Sequence, residues 1–523
     1  MEERTLRFYK DHYDVIIIGC SLAGMSAAME LASKGKSVLV LERHNLPGGI
    51  ATSFVRNGVE VEATLHEMMS IGPEDQRLPV GEYLDEMGVK IDWLRVPEAY
   101  RLYVPEDNID ITLHAGVDTD GVYIAAKEIE EVYPGSLKKV DRLLKTCRSV
   151  METTNYLNDH EVSKLGMIKD HWDMTATAGY SAKEVMDAME IPQKVQDILS
   201  AYWIYVGQPI SNLPFVIYSF LMGDYMTGGS YFVRNFSHGM SVAMCERCLE
   251  LGVQIEFRAE VEKILVKDGT AYGVRTKHGD EIHGTYIISG AYPDAVYGRM
   301  IEPASEVPAQ AFKLVNGRKV GVSCFSVCLL LDKTPEELGI KDYSVFDSDA
   351  HFDTDRFWKE GVNAGGWHYL TTICYNGVAP DSFPKGTCYM TITQLPMPES
   401  FFDVSADDYF EVKRRIAKEI IDHTSKRLGV DLSEHILEVE VETPATIAHY
   451  SGQHLGGVYG YQHTMDDSVV ARLPNYGKEH YIKHLTWASS ATLAGNGMAI
   501  NIKHGRIAAH VIDEWEKEEK EGK

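Results

Sequence analysis

Tyr13-Asp14-Val15-Ile16-Ile17-Ile18 is a nearly unbroken apolar run. A strand with one face in water would alternate, so this run predicts a strand buried on both faces. It enters a glycine-marked turn, Gly19-Cys20-Ser21-Leu22-Ala23-Gly24, after which Met25 to Lys34 predicts a helix. A second apolar strand, Ser37 to Leu41, ends on Glu42, and Leu46-Pro47-Gly48-Gly49 follows as a loop. Further along, Gly239 to Leu251 predicts a helix and Val253 to Phe257 a strand. Val261 to Val266 and Ala271 to Thr276 alternate in twos around Lys267-Asp268-Gly269, the pattern of a hairpin, and Tyr286 to Ser289 predicts another buried strand ending on Gly290. The most apolar stretch, Leu213 to Met222, is too short to cross a bilayer and predicts a core element or the wall of an apolar tunnel. The charged tail Glu514 to Glu521 predicts an extension of the last helix into solvent.

Strand, turn, helix, second strand and terminal acid in this order form a dinucleotide-binding start. Glu42 stands 18 residues beyond Gly24, where a carboxylate would meet the hydroxyl groups of an adenosine ribose. With the Pro-Gly-Gly loop directly after it, the segment predicts bound FAD. One position departs from the fingerprint: Ser21 stands where a second glycine usually lets pyrophosphate approach the helix N-terminus. Serine is the smallest replacement that also offers a hydroxyl donor, so loss of binding does not follow.

A chain of 523 residues exceeds what one hydrophobic core supports, so two intertwined domains are expected. The fold class predicted is α/β: a discontinuous Rossmann-like FAD-binding domain of residues 1–70, 235–300 and 480–523, with an inserted α+β substrate-binding domain of residues 71–234 and 301–479. The net charge of −26 speaks against a nucleic-acid partner. The charged N-terminus lacks the apolar core of a signal peptide and no run reaches the length of a spanning helix, which predicts a cytoplasmic protein while leaving peripheral membrane contact open. Eight dispersed cysteines read as reduced core residues, including the Cys245/Cys248 pair inside a predicted helix, and no metal site is expected.

The chain resembles the phytoene desaturase, carotenoid isomerase and retinol saturase-like FAD-dependent oxidoreductases. Besides the first block, the likeness rests on Ser237-His238-Gly239-Met240 before a helix and on Ser289-Gly290-Ala291-Tyr292-Pro293. It also rests on the loop Ala379 to Gly386, on Glu442-Thr443-Pro444-Ala445-Thr446 leading to Gly456-Gly457, and on a closing segment from Gly495-Asn496-Gly497-Met498 to Ala509. The resemblance implies cofactor contacts from Gly19, Ser21, Leu22, Ala23 and Gly24 at the turn, and from Glu42 to the ribose with Arg43 on the adenine side. It implies Gly48, Gly49, Ile50 and Ala51 beneath the pyrophosphate and ribityl chain, backbone at Val261 along the adenine edge, and Ser489 or Ser490 near the ribityl group. Asn496, Gly497, Met498 and Ala499, with the N-terminus of the last helix, would meet the flavin. Many relatives carry arginine where Ile50 stands, which removes a cation from beside the phosphates.

The function implied is saturation or desaturation of a carbon–carbon bond in a hydrophobic, lipid-like or isoprenoid substrate, with an external electron donor or acceptor. A double-bond isomerase without net redox change and a non-catalytic escort protein on the same fold are the alternatives. For proton handling the candidates are His66, Glu67, Tyr450 and His463, with His66 foremost because the family brings its segment alongside the flavin.

Overall fold

The computed structural model describes residues 8–62, 64, 66–159, 162–366, 368–468, 480–489 and 497–522. β1 (Tyr13–Ile18), α1 (Leu22–Ser33) and β2 (Val38–Leu41) form the parallel unit that the apolar runs predict. β1 is central, with β2 on one side and the strand Glu281–Ser289 on the other, both parallel to it. That placement explains why it shows no alternation: every residue but Asp14 is buried. Among the described residues this sheet has eight strands. It continues through β2 to Gln254–Glu256 at one edge, and through the antiparallel strands Thr270–Thr276 and Val261–Lys267 to Ile301–Glu302 at the other, while Leu485–Trp487 pairs in parallel with Glu281–Ser289.

α1 begins three residues before the apolar pattern indicates, because Ser21 caps it. Its backbone is extended (φ −79°, ψ 172°), and its Oγ accepts from the Gly24 N–H at 3.2 Å. The helix Phe236–Glu250 also starts early, by three residues, and Ser237 and His238 therefore lie in its first turn rather than before it. The cause is remote in sequence: the buried Glu62 carboxylate, at the end of the hairpin β3 (Ser53–Arg56) and β4 (Val59–Glu62), accepts from the Ser237 N–H at 2.8 Å.

The second sheet has seven strands in the order Ile436–Glu442, Phe325–Leu331, Cys388–Gln394, Leu370–Cys374, Ser344–Asp347, Tyr100–Val104 and Ile109–Leu113. Only Ser344–Asp347 with Tyr100–Val104 is parallel. One face buries Phe325, Val327 and Leu329 against Ile416, Ile420 and Ile421 of the helix Tyr409–Leu428. The apolar stretch near residue 215 becomes the helix Phe215–Gly228, buried around nearly its whole circumference, and its Leu221 and Tyr225 also reach a large cavity. Core and cavity wall are thus the same element. All eight cysteines are buried and unpaired, and among the described residues no helix is long and apolar enough to cross a membrane.

The last helix, Met498–Glu521, lies along α1. A Cβ on Gly505 would stand 2.2 Å from the Ala23 carbonyl oxygen and 2.6 Å from the Ser26 Cβ, so only glycine permits this approach, and Ser26 Oγ donates to the Ile502 carbonyl at 2.8 Å beside it. The tail departs from the solvent extension expected of it. Asp513 and Glu516 pair with Lys34 and Lys36 of the first block, and Glu519 accepts from His484 (2.7 Å) and from Tyr286 (3.0 Å). Gly505→Ala should push the two helices apart and destabilise the protein by about 1–3 kcal/mol, the usual range for overpacking. A lowered melting temperature with loss of bound flavin is expected, and an unchanged melting curve would refute the close approach.

Candidate active site

Residues from both sheets enclose a cavity of about 830 Å³. At one end the turn after β1 and the Pro-Gly-Gly loop lie against each other: the Gly48 N–H donates to the Cys20 carbonyl at 2.7 Å. Gly48 sits at φ +112°, and a Cβ there would fall 2.2 Å from the Ala51 carbonyl oxygen and 2.4 Å from Ser241 Oγ. With Gly49 at φ +67° beside it, the loop forms a bare backbone floor here. Glu42 is buried on the wall, its Oε2 accepting from the Cys20 N–H and its Oε1 from the His44 N–H, each at 2.7 Å. The carboxylate is thus fixed by the backbone, with lone pairs left for a ligand hydroxyl.

The sequence-predicted positions divide clearly. Gly19, Ser21, Leu22, Glu42, Arg43, Gly48, Gly49, Ile50, Ala51, His66, Glu67, Tyr450, Val261, Ser489, Gly497, Met498 and Ala499 all line the cavity. Ala23 and Gly24 do not; they face the helix interior, where a Cβ on Gly24 would meet the Gly19 carbonyl oxygen at 2.2 Å. Asn496 and Ser490 lie outside the described residues. His463 is buried away from the cavity wall. Tyr450 stands at the rim with its side chain 60% exposed, and what it contributes inward is its carbonyl, which accepts from Arg43 Nη2 at 2.8 Å. Arg43 therefore ties the end of β2 to the helix Pro444–Ser451.

His66 and Glu67 are neighbours with opposite electrostatics. His66 Nε2 lies 3.4 Å from Thr393 Oγ1, and the Tyr343 hydroxyl donates to the His66 carbonyl. Burial without a charged partner pushes its imidazole down to about 4, so it is neutral at pH 7. Glu67 is 7% exposed and enclosed by an aromatic wall in which Tyr202 lies 5.1 Å from Tyr205 and 4.9 Å from Tyr225, ring centre to ring centre. Burial pushes its carboxyl up to about 7, against the opposing pull of hydrogen bonds from Ser230 Oγ and from the Tyr205 hydroxyl at 2.9 Å. The group poised near neutral pH is the carboxyl, not the imidazole. Tyr205, Tyr225, Ser230 and Thr393 join the site from distant segments with no local motif to mark them, and Glu442 joins it from the head of the Glu442-Thr443-Pro444-Ala445-Thr446 segment, where no role is expected of it from sequence.

A glycine floor, a backbone-held acid at the end of the second strand and a helix N-terminus entering the same cavity define a dinucleotide-binding flavoprotein site, and these residues fit FAD. The family model for flavin containing amine oxidoreductase matches residues 22–387, and the chain belongs to that family. It is an FAD-dependent oxidoreductase. The chain is similar to prolycopene isomerase 2, chloroplastic, of an Oncidium hybrid cultivar, with 24% identity over 86% of this chain and 75% of the relative. It is also similar to 4,4'-diapolycopene oxygenase of Methylomonas sp (24%, covering 96% and 98%) and to all-trans-retinol 13,14-reductase of Danio rerio (22%, covering 86% and 78%). Among solved structures it shares its fold with an oxidoreductase from Methanosarcina mazei, at a TM-score of 0.63 and 14% identity over 96% of this chain and 99% of the other. Putrescine oxidase bound to putrescine gives the same TM-score and identity over 96% and 98%.

Removing the Glu42 carboxylate takes away the tie that holds Cys20 and His44, and with it the ribose contact expected there. Glu42→Ala should weaken FAD retention by about 1.5–3 kcal/mol, roughly ten- to a hundredfold, measured by flavin released on dilution of the holoprotein. Unchanged retention would mean that the ribose lies elsewhere.

Proposed function

We propose that this oxidoreductase saturates or desaturates a carbon–carbon double bond of a hydrophobic, isoprenoid-like substrate, with Glu67 exchanging the proton. Three observations support the reading: the aromatic and methionine lining of the cavity, the named activities of the relatives, and above all a buried carboxyl on the wall whose proton affinity is matched to neutral pH. FAD, when bound, supplies the hydride and electron chemistry. The chain's own residues have the remaining work. The Tyr202, Tyr205 and Tyr225 rings exclude water, Ser230 and Tyr205 hold the Glu67 carboxyl at its two oxygens, and the proton resides on that carboxyl between turnovers. His66, kept neutral, orients through Nε2 rather than donating an imidazolium proton.

In this reading residues 1–70, 235–300 and 480–523 hold the cofactor, and residues 71–234 and 301–479 shape the substrate space. Within it Gly48, Gly49, Ile50 and Ala51 support the pyrophosphate and ribityl chain, Glu42 the ribose, Arg43 and Val261 the adenine side, and Met498 with its neighbours the flavin. An external electron donor or acceptor completes the cycle, and eight unpaired thiols suit a reducing compartment such as the cytoplasm. The similarity to prolycopene isomerases favours double-bond isomerisation as the second reading.

The proton role has a signed consequence. A donor must be protonated, so a saturation rate limited by Glu67 falls as pH rises through about 7, whereas desaturation, which needs the carboxylate, rises to a plateau above it. An imidazolium donor at His66 would place the limb near 4 instead. Glu67→Gln should lower turnover by about two to four orders of magnitude and abolish the limb near pH 7, with flavin content retained. Reoxidation of photoreduced flavin by polyenes or unsaturated lipids provides the assay. An unchanged rate and pH profile in Glu67→Gln would dismiss the proton role.

A further inference from the structure

A second carboxyl on the cavity wall is left unused by that chemistry. Glu442 is the last residue of the edge strand Ile436–Glu442, opposite Ser326, and the capping box of Thr443 and Thr446 turns the chain into the next helix immediately after it. It is 5% exposed and lines the cavity, and its Oε2 has no hydrogen-bond partner among the described residues. A buried, unpaired carboxyl oxygen is costly, and a half-turn about the terminal torsion brings either oxygen to the cavity side. The arrangement is that of a partner awaiting a ligand.

The charges around it specify which ligand. Glu62 is completely buried, accepts from the Ser237 N–H at 2.8 Å and from Ser237 Oγ at 2.6 Å, and acts on Glu442 as a like charge. Glu440 pairs with Arg56 at 3.3 Å, and Arg56 in turn lies 4.6 Å over the Phe54 ring. Lys413 shares the wall and acts on Glu442 with opposite sign to Glu62 and Glu440. Two carboxylates, Glu62 and Glu440, therefore balance two cations, Arg56 and Lys413. The balance holds only while Glu442 is neutral, and burial beside Glu62 favours that state, pushing its carboxyl up to about 8. A neutral carboxyl both donates and accepts a hydrogen bond, which suits an uncharged hydroxyl or carbonyl better than an ammonium group.

We propose that Glu442 is a specificity-determining residue that anchors the neutral oxygen-bearing head group of an amphipathic substrate, so that the preferred substrate is an isoprenoid-like alcohol or carbonyl compound rather than a bare hydrocarbon. This rests on the reading of a hydrophobic substrate given above. The test compares binding of geranylgeraniol, of the hydrocarbon lacking its hydroxyl group and of the matching primary amine to the flavin-loaded protein at pH 7, followed by the shift in flavin absorbance. The alcohol should bind about tenfold tighter than the hydrocarbon and tighter than the amine. Glu442→Leu should reduce the alcohol to the level of the hydrocarbon while flavin content stays the same, and Glu442→Gln, which can still donate and accept, should retain most of the preference. Equal binding of alcohol and hydrocarbon by the parent protein overturns the anchor, as does tighter binding of the amine. Loss of flavin from both variants would make Glu442 a cofactor contact instead. Flavin-loaded parent protein that binds none of the three overturns the hydrophobic-substrate reading itself, and the anchor with it.

Discussion

The Glu62 carboxylate is the constraint on which the rest of the site depends. It is inaccessible to solvent, and a buried carboxyl group is tolerated in a folded protein only when hydrogen-bond partners replace its water. Ser237 supplies two of them, the Thr64 N–H reaches it at 3.3 Å, and the Glu62 N–H itself donates to the Tyr389 hydroxyl. Four parts of the chain that are hundreds of residues apart are thereby fixed together: the β3–β4 hairpin, the start of the helix Phe236–Glu250, the strand Cys388–Gln394 and, through its charge, Glu442. The tie stands a few residues ahead of His66 and Glu67, both of which line the cavity.

His66 and Glu67 show that residue type is a poor guide to chemical role. Imidazole is the side chain that ordinarily titrates near neutrality, but only where water or a counter-charge stabilises the cation. At His66 the contacts are a threonine hydroxyl and apolar walls, and burial moves the group out of range. The same burial moves a carboxyl the other way, into range, because for an acid it is the deprotonated form that carries charge. One environment thus moves the two neighbours in opposite directions.

What the sequence displays and what it hides follow the same distinction between local and remote causes. The run from Tyr13 to Gly49 is legible because each device in it acts on its own neighbours: continuous hydrophobicity for a central strand, an acid at a strand end, a glycine where the backbone must double back. Ser21 departs from the fingerprint and still works, since its hydroxyl closes the first turn of α1. The early start of the helix Phe236–Glu250 was hidden because Glu62 sets it from far away, and the tail after Trp515 read as solvated because its partners, Lys36, His484 and Tyr286, belong to other segments. Tyr450 and His463 carry plausible functional groups, but their placement, one at the rim and one behind the wall, depends on tertiary packing that no motif encodes.

An enzyme with a net charge of −26 faces a difficulty in receiving an apolar molecule, since every charge on the cavity wall must be desolvated when the ligand displaces water. Here the buried carboxyls divide into two kinds. Glu42 and Glu62 accept from backbone or serine donors, which replace part of the solvation they lose on burial. At Glu67 burial outweighs the hydrogen bonds from Ser230 and Tyr205, and at Glu442 burial acts beside Glu62, so both are held towards the neutral state, which removes charge rather than balancing it. Glu67 and Glu442 therefore add less negative charge to the cavity wall than their number suggests. What favours the neutral form at both is burial rather than the absence of donors: hydroxyl groups of Ser230 and Tyr205 reach Glu67, Glu442 Oε2 has no partner among the described residues, and in both places desolvation outweighs what donors return.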